Sequence, residues 1–250
     1  MTTAAGAGPA GTPPPMQSSK RASASAFPEE VGRLVANAGE RVSRHTVAGV
    51  PHKEIAEFAS ERDTDLIVMG QDGKTGVNNR LFDSVTDKEI RTTTVPVLAV
   101  PEGDGPCRVE QVLLPTGDRL TDDEAISHAA TVATALEARV HVVGVVDTAR
   151  EAGPFNAGGV TSGFIERLKR EARPVVDATI ERLLGLGVET DVEGAVVHGL
   201  AHDALDEYVA ARGIDIVIAS GYGESKVVRR VLGDVTEHLL QTTSVPVLVT

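Results

Sequence analysis

At 250 residues, 41% of them hydrophobic, the chain is long enough for one large domain or two ordinary ones. Its formal charge of −12 and pI near 5.0 argue against the basic face that a nucleic-acid partner needs, and its single cysteine, Cys107, excludes an intrachain disulfide. No apolar run approaches the roughly 20 residues of a membrane span, and the N-terminus lacks the apolar core of a secretory signal, so the reading is a soluble, cytoplasmic protein with no membrane partner.

Residues 1–27 are rich in Ala, Gly, Pro, Ser and Thr without periodicity and are expected to be a disordered tail. Gly6-Ala7-Gly8-Pro9-Ala10-Gly11 spells a dinucleotide-binding pattern, but no strand precedes it and no helix follows, so it is read as chance. Val31, Leu34, Val35, Ala38 and Val42 recur at helical spacing over Glu29 to Val42. A strand is expected from Thr46 to Val50. A helix follows from Pro51, with Ile55, Phe58 and Ala59 inward. Leu66-Ile67-Val68 and Val95-Pro96-Val97-Leu98 are short apolar runs of the kind buried on both faces of a parallel sheet, and between them lie a glycine-bearing loop and a helix. Pro101 to Pro106 is a linker by composition, and Cys107 beside it is not read as a catalytic thiol.

Beyond the linker, Gln111 to Leu114 reads as a strand ending in Pro115-Thr116-Gly117-Asp118. Thr121-x-x-Glu124 reads as a capping box opening a helix with Ile126, Ala129, Ala130, Ala133 and Leu136 inward. Val140 to Val146 is the next strand. A polar loop leads to a long helix carrying Ile165, Leu168, Ala172, Val176, Ile180 and Leu183, with a bend expected at Pro174. Glu189 to Val197 is a third strand, and Ala201 to Ala211 a helix with Leu205, Tyr208 and Val209 inward.

The chain then repeats itself. At one ungapped offset of 150 residues, Asp65 to Val68 faces Asp215 to Ile218, Gly73 faces Gly223, Val77 faces Val227, and Arg80 faces Arg230. Val85-Thr86 matches Val235-Thr236, and Thr92-Thr93-x-Val95-Pro96-Val97-Leu98 matches Thr242-Thr243-x-Val245-Pro246-Val247-Leu248. One unit is therefore written twice. Glycines between a strand end and a helix start let backbone N–H groups approach an anion, which makes this loop a candidate phosphate cradle.

Gly70-x-x-Gly73, nine residues, then Asp83-Ser84 and the closing Val-Pro-Val-Leu resemble the nucleotide loop of the universal stress proteins, whose pattern is Gly, two residues, Gly, nine residues, Gly, then Ser or Thr. Asp83 stands where the third glycine is expected. In the second copy Ser220 takes the first glycine's place and Asp234 the hydroxyl's, with Gly221, Gly223 and Gly233 present. The resemblance covers about residues 28 to 250. It implies an α/β fold, a doubly wound parallel five-stranded sheet of order 3-2-1-4-5, complete over 106–250. A truncated copy over 28–101 precedes it, because residues 1–27 supply no opening strand, helix and strand.

The resemblance further implies a ligand between the first and fourth strands, where Pro115, Thr116 and Asp118 meet Ser220 to Gly223, with Val145 and Val146 at the adenine. The ribose acid is displaced by one residue, since the chain reads Gly117-Asp118. The function implied is a non-enzymatic stress regulator binding ATP or another adenine nucleotide. A module that only pairs through its fifth strands and a slow ATPase stand as alternatives; no general base or metal ligand is named for the latter. The family pairs units across Val95 to Leu98 and Val245 to Leu248, within one chain or as a homodimer. No Gly-x-Ser-x-Gly elbow or P-loop is present. His52 and His202 occupy equivalent helix starts, and neither they nor His45, His128, His141, His198 and His238 keep metal-ligand spacing, so all are read as surface or helix-start residues. Asp63, Asp65 and Asp215 precede strands as turn or cap residues.

Overall fold

The computed structural model describes residue 43 and residues 45–71, 85–101, 108–117, 121–148, 161–221 and 232–250. The expected tail, the helix over Glu29 to Val42 and Cys107 fall outside them. The chain divides into two compact units, Met1–Ala48 and Gly49–Thr250, and the elements below all belong to the second.

The first repeat supplies α1 (Pro51–Glu61), β1 (Ile67–Gly70), α2 (Val85–Thr92) and β2 (Val97–Val100). The second supplies β3 (Gln111–Thr116), α3 (Asp123–Leu136), β4 (Arg139–Asp147), α4 (Ser162–Gly185), β5 (Val192–Gly199), α5 (Ala201–Arg212), β6 (Ile216–Ala219), α6 (Asp234–Thr242) and β7 (Val247–Val249). All seven strands join one sheet in the order β1-β2-β7-β6-β3-β4-β5. Within the second repeat this is third, second, first, fourth, fifth, all parallel. The fold is thus α/β with a mostly parallel sheet between helices.

Only β2 and β7 run antiparallel, with Val97 opposite Val249, Leu98 opposite Leu248 and Ala99 opposite Val247. Leu98 and Leu248 are counterparts at the 150-residue offset, so a local twofold axis passes between them. Threonine-to-backbone hydrogen bonds repeat about that axis. Thr86 Oγ1 donates to Gly70 O at 2.9 Å and Thr236 Oγ1 to Ser220 O at 3.0 Å, and the amides of Val95 and Val245 donate to the hydroxyls of Thr93 and Thr243. One apolar cluster spans the seam, with Ala59, Ile67, Ile90, Val97 and Ala99 of the first repeat packed among Leu205, Val217, Leu239, Val247 and others of the second. A second cluster, on the opposite face, gathers α3 and α4 over Val112, Val140, Ile216 and Ile218.

Several local expectations are corrected. Thr46 to Val50 is exposed coil rather than a strand. Its counterpart β5 pairs along its whole length with β4, whereas Thr46 to Val50 pairs with no strand among the described residues. Leu66 and Val68 are 40% and 61% exposed, not buried on both faces, whereas their counterparts Ile216 and Ile218 are 6% and 0% exposed beneath α3. Leu136, read as inward, is exposed because it is the last residue of α3, just before the left-handed Glu137 at φ 54°. Asp63 does take a turn conformation, at φ 48°. Asp215 accepts from the amides of Glu110 and Gln111 at 2.8 Å each, pinning the start of β3 beside β6.

Candidate functional site

Strand order reverses at β3, which has β4 on one side and β6 on the other. In open α/β sheets the crevice beyond the strand C-termini at such a point receives ligands. The register Val112 to Ile216 and Leu113 to Val217, continued upward, brings Thr116 level with Ser220. The chain leaves β3 through Gly117 at φ 141°, a conformation that side chains rarely adopt, with open space where a Cβ would stand.

Asp122 ties the two sides of the crevice together. Its Oδ1 accepts from the Ala125 amide at 2.9 Å, which caps α3, and its Oδ2 accepts from Ser220 Oγ at 2.8 Å. The cap is therefore Asp122 rather than the Thr121-x-x-Glu124 box. Asp122 stands at the extended residue before the helix, where a carboxylate reaches the amide three positions on. Thr121 lies one residue too early, and its hydroxyl is buried with no hydrogen bond among the described residues.

Pro115 and Thr116 are buried at the end of β3, and Thr116 Oγ1 lies 3.2 Å from Thr179 Oγ1 on α4. Its hydroxyl thus serves the α4 layer. Val145 is half-buried and Val146 buried on β4, just beyond the pairing of Thr116 with Gly144. Ser220 is 2% exposed. A Cβ on Gly221 would come 2.9 Å from Val249 Cγ1 and 3.1 Å from Thr250 O, so the close approach of the β7 end accounts for this glycine.

Gly233 is the N-cap of α6 and makes no side-chain cap bond. Asp234 is the first residue of that helix and exposed; it does not cap, but an acid in a first turn is favoured by the helix dipole. Gly70 ends β1 and is exposed, its carbonyl held by Thr86. Asp118, Gly223, Gly73 and Ser84 lie outside the described residues. The described residues thus bring Thr116, Asp122, Ser220 and Gly221 to one crevice, with α6 tied to it through Thr236.

Histidines depart from the surface reading in two ways. His141 is 2% exposed within β4, its Nδ1 3.0 Å from the Tyr208 hydroxyl and its Nε2 2.8 Å from Gln111 Oε1. Burial lowers its pKa, outweighing Glu193. His202 and His238, on different helices, bring their ring centroids to 4.1 Å beside Asp203. No sequence spacing signals that contact, because the two helices meet only in the fold. A third unforeseen group is Glu89 on α2, fully buried with no hydrogen bond to either carboxyl oxygen among the described residues; burial pushes its pKa up to about 7. A separate cavity of about 640 Å³ opens at the opposite ends of β3 and β4, and its two arginines, Arg108 and Arg139, are ion-paired with Glu110 and Asp191.

The model of the universal stress protein family matches residues 3–101 and 109–250. Two universal stress proteins of Methanocaldococcus jannaschii are 39% and 36% identical to the chain, each over 72 residues. Those matches cover 29% of this chain and 42% and 44% of the relatives, less than half of either. The fold is similar to that of a universal stress protein of Archaeoglobus fulgidus, with TM-score 0.64 and 19% identity over 92% of this chain and 76% of the other. A Pseudomonas aeruginosa structure described as a putative universal stress protein gives TM-score 0.61 and 19% identity over 90% and 77%. Among the described residues no helix is long and apolar enough to cross a membrane. With the family pattern matched on both sides of the 102–108 junction and the same loop and strand text written twice, the chain belongs to the universal stress protein family, in tandem form.

Proposed function

We propose that the protein is a non-catalytic regulator of stress responses, cytoplasmic, and that it binds an adenine nucleotide in the crevice above β3 and β6. The observation that carries this reading is the reversal of strand order at β3. There Gly117, Ser220 and the start of α3 meet at one edge, and α6, opened by Gly233, is tied to that edge through Thr236. Pro115, Thr116, Asp118, Val145 and Val146 would face base and ribose, and Ser220, Gly221, Gly223, Gly233 and Asp234 the phosphates.

Asp234 sets the expected preference. A carboxylate accepts hydrogen bonds and adds like charge; two unit charges 4 Å apart repel by roughly 1 kcal/mol in water and about 4 at a protein surface, or about tenfold to a thousandfold in affinity. AMP and adenosine are therefore favoured over ATP. Calorimetric titration of the full chain should give tighter AMP than ATP binding, and Asp234→Ser with Ser220→Gly should restore ATP. Micromolar ATP binding by the unaltered protein, or no gain in the double variant, would remove the carboxylate from this role; absence of any adenine nucleotide binding would remove the nucleotide reading.

The antiparallel β2–β7 seam favours a second, compatible reading in which the two repeats are each other's partners, as an intramolecular pseudo-dimer, with a homodimer through the same strands as the two-chain equivalent.

A further inference from the structure

We propose that His202, Asp203 and His238 form a binding site for one divalent transition-metal ion of the zinc type, joining α5 to α6. One ligand atom from each of the three lies within 4.8 Å of the others. Ligand atoms around a tetrahedral ion at roughly 2.0–2.1 Å stand about 3.4 Å apart, so small side-chain rotations close the set. The side chains are placed for such movement: His202 is 37% exposed, His238 29% and Asp203 68%. The site therefore opens to solvent, which leaves a path for the ion and a fourth position for water.

The surroundings add an observation independent of the cluster. Asp206, one turn along α5, has its Oδ2 3.5 Å from His238 Nε2 and held by Thr242 Oγ1 at 2.8 Å, and its Oδ1 is buried with no hydrogen bond among the described residues. A fixed carboxylate set against one imidazole of a two-imidazole cluster is the usual outer partner of a metal-bound histidine, and the unfilled Oδ1 leaves Asp206 an acceptor to spare. His202 Nε2 is 3.5 Å from Asp203 Oδ1, so the carboxylate and the ring already face each other.

The donor set selects the metal. Two imidazole nitrogens with carboxylate oxygen suit zinc, cobalt, nickel and copper; magnesium and calcium prefer all-oxygen shells. The first repeat serves as a built-in contrast. At the same offset His202 corresponds to His52, Asp203 to Lys53, Asp206 to Ala56 and His238 to Lys88, so one imidazole of the donor set is repeated there and the other donors are not. The site belongs to the second repeat, and one of its two helices, α6, starts at Asp234.

The test uses the full chain, with any affinity tag removed and metal stripped by chelator, titrated with Zn²⁺ by calorimetry and with Co²⁺ by its visible absorption. One ion per chain should bind, raise the melting midpoint by about a few degrees at saturation, and give the intense tetrahedral cobalt band; Mg²⁺ should do neither. His238→Lys, which installs the first repeat's residue, should weaken Zn²⁺ binding about a hundredfold or more, and His52→Ala should leave it unchanged. Should His238→Lys fail to fold, Asp203→Lys, at a mostly exposed side chain, gives the same reading with about a tenfold loss. Failure of the unaltered chain to bind Zn²⁺ or Co²⁺ at roughly 100 μM, or binding that neither His238→Lys nor Asp203→Lys weakens, would overturn the proposal.

Discussion

The two repeats share a backbone plan and differ in what covers it. Above β6, α3 packs Ile126 and its alanines onto Ile216 and Ile218; above β1, the equivalent Leu66 and Val68 are exposed. At the seam the backbone obeys a twofold relation that the side chains break. Arg91 donates to Asp87 on its own helix and to Glu237 across the axis at 3.0 Å, whereas its counterpart Gln241 donates to Glu237 on its own helix at 3.5 Å. Gln71 Nε2 spans the seam to Leu240 O at 3.0 Å, and its counterpart is Gly221. Inside α2, Glu89 sits fully buried where α6 has Leu239. The difference teaches that the second repeat carries its own core on both faces, while among the described residues the first has one covered face, which it shares with the second repeat across the seam.

The largest expected effect comes from separating the repeats. Residues 106–250 expressed alone should melt cooperatively, and residues 28–101 alone should not, because Ile67, Ile90, Val97 and Ala99 would lose the residues of the second repeat that they pack against. Mixing the two pieces should return the missing transition if the seam is a true pairing surface; a cooperative melt of 28–101 by itself would break the comparison.

A smaller effect should follow Glu89→Leu, which makes α2 match α6. The carboxyl's pKa rises from 4.5 to about 7 on folding because burial penalises the charge. Protonated Glu89 is thus favoured in the folded chain: its contribution is fully present below pH 4.5 and is lost as pH rises through about 7. The leucine variant should gain about 3 kcal/mol over the parent at pH 8 and little at pH 4, read from urea midpoints at the two pH values. An equal difference at both would mean that the carboxyl does not titrate in this range.

The smallest effect is expected at the charged side of the seam. Burial works against the Arg91 charge, but Glu237 and Asp87 outweigh it, and the pKa is raised. Arg91→Ala should cost about 1–2 kcal/mol by leaving two carboxylates facing each other, and Gln241→Ala less than about 0.5 kcal/mol. Equal losses in urea unfolding would show that the seam's asymmetry is only geometric.

The internal repeat made the sheet legible: strand text such as Val-Pro-Val-Leu recurs because the same backbone pairing recurs. Helix faces were legible from periodicity, as at Leu168, Val176 and Leu183, all buried. What escaped the sequence depended on partners remote in the chain. Thr46 to Val50 has strand composition but no neighbouring strand among the described residues. His141 looks like any histidine until Gln111 and Tyr208 close on its ring. Asp122 and Ser220 are 98 residues apart, and only the reversal at β3 brings them within a hydrogen bond. Glu89 stands between Lys88 and Ile90 in a short helix, and nothing in its local text marks it as buried.

The seam also sets a timetable. Residues 97–99 of β2 pair with residues 247–249, so the first repeat cannot complete its sheet until about 150 further residues have been made. At roughly 5–20 residues per second of synthesis, β2 waits on the order of 10–30 seconds with one backbone edge and its apolar side chains uncovered. Closing a loop of that length costs only about 0.6 kcal/mol more than one half as long, so the delay is one of production rather than of search. During that interval the open edge of β2 is a template for any other strand, and the β2 of a second nascent chain is one such strand.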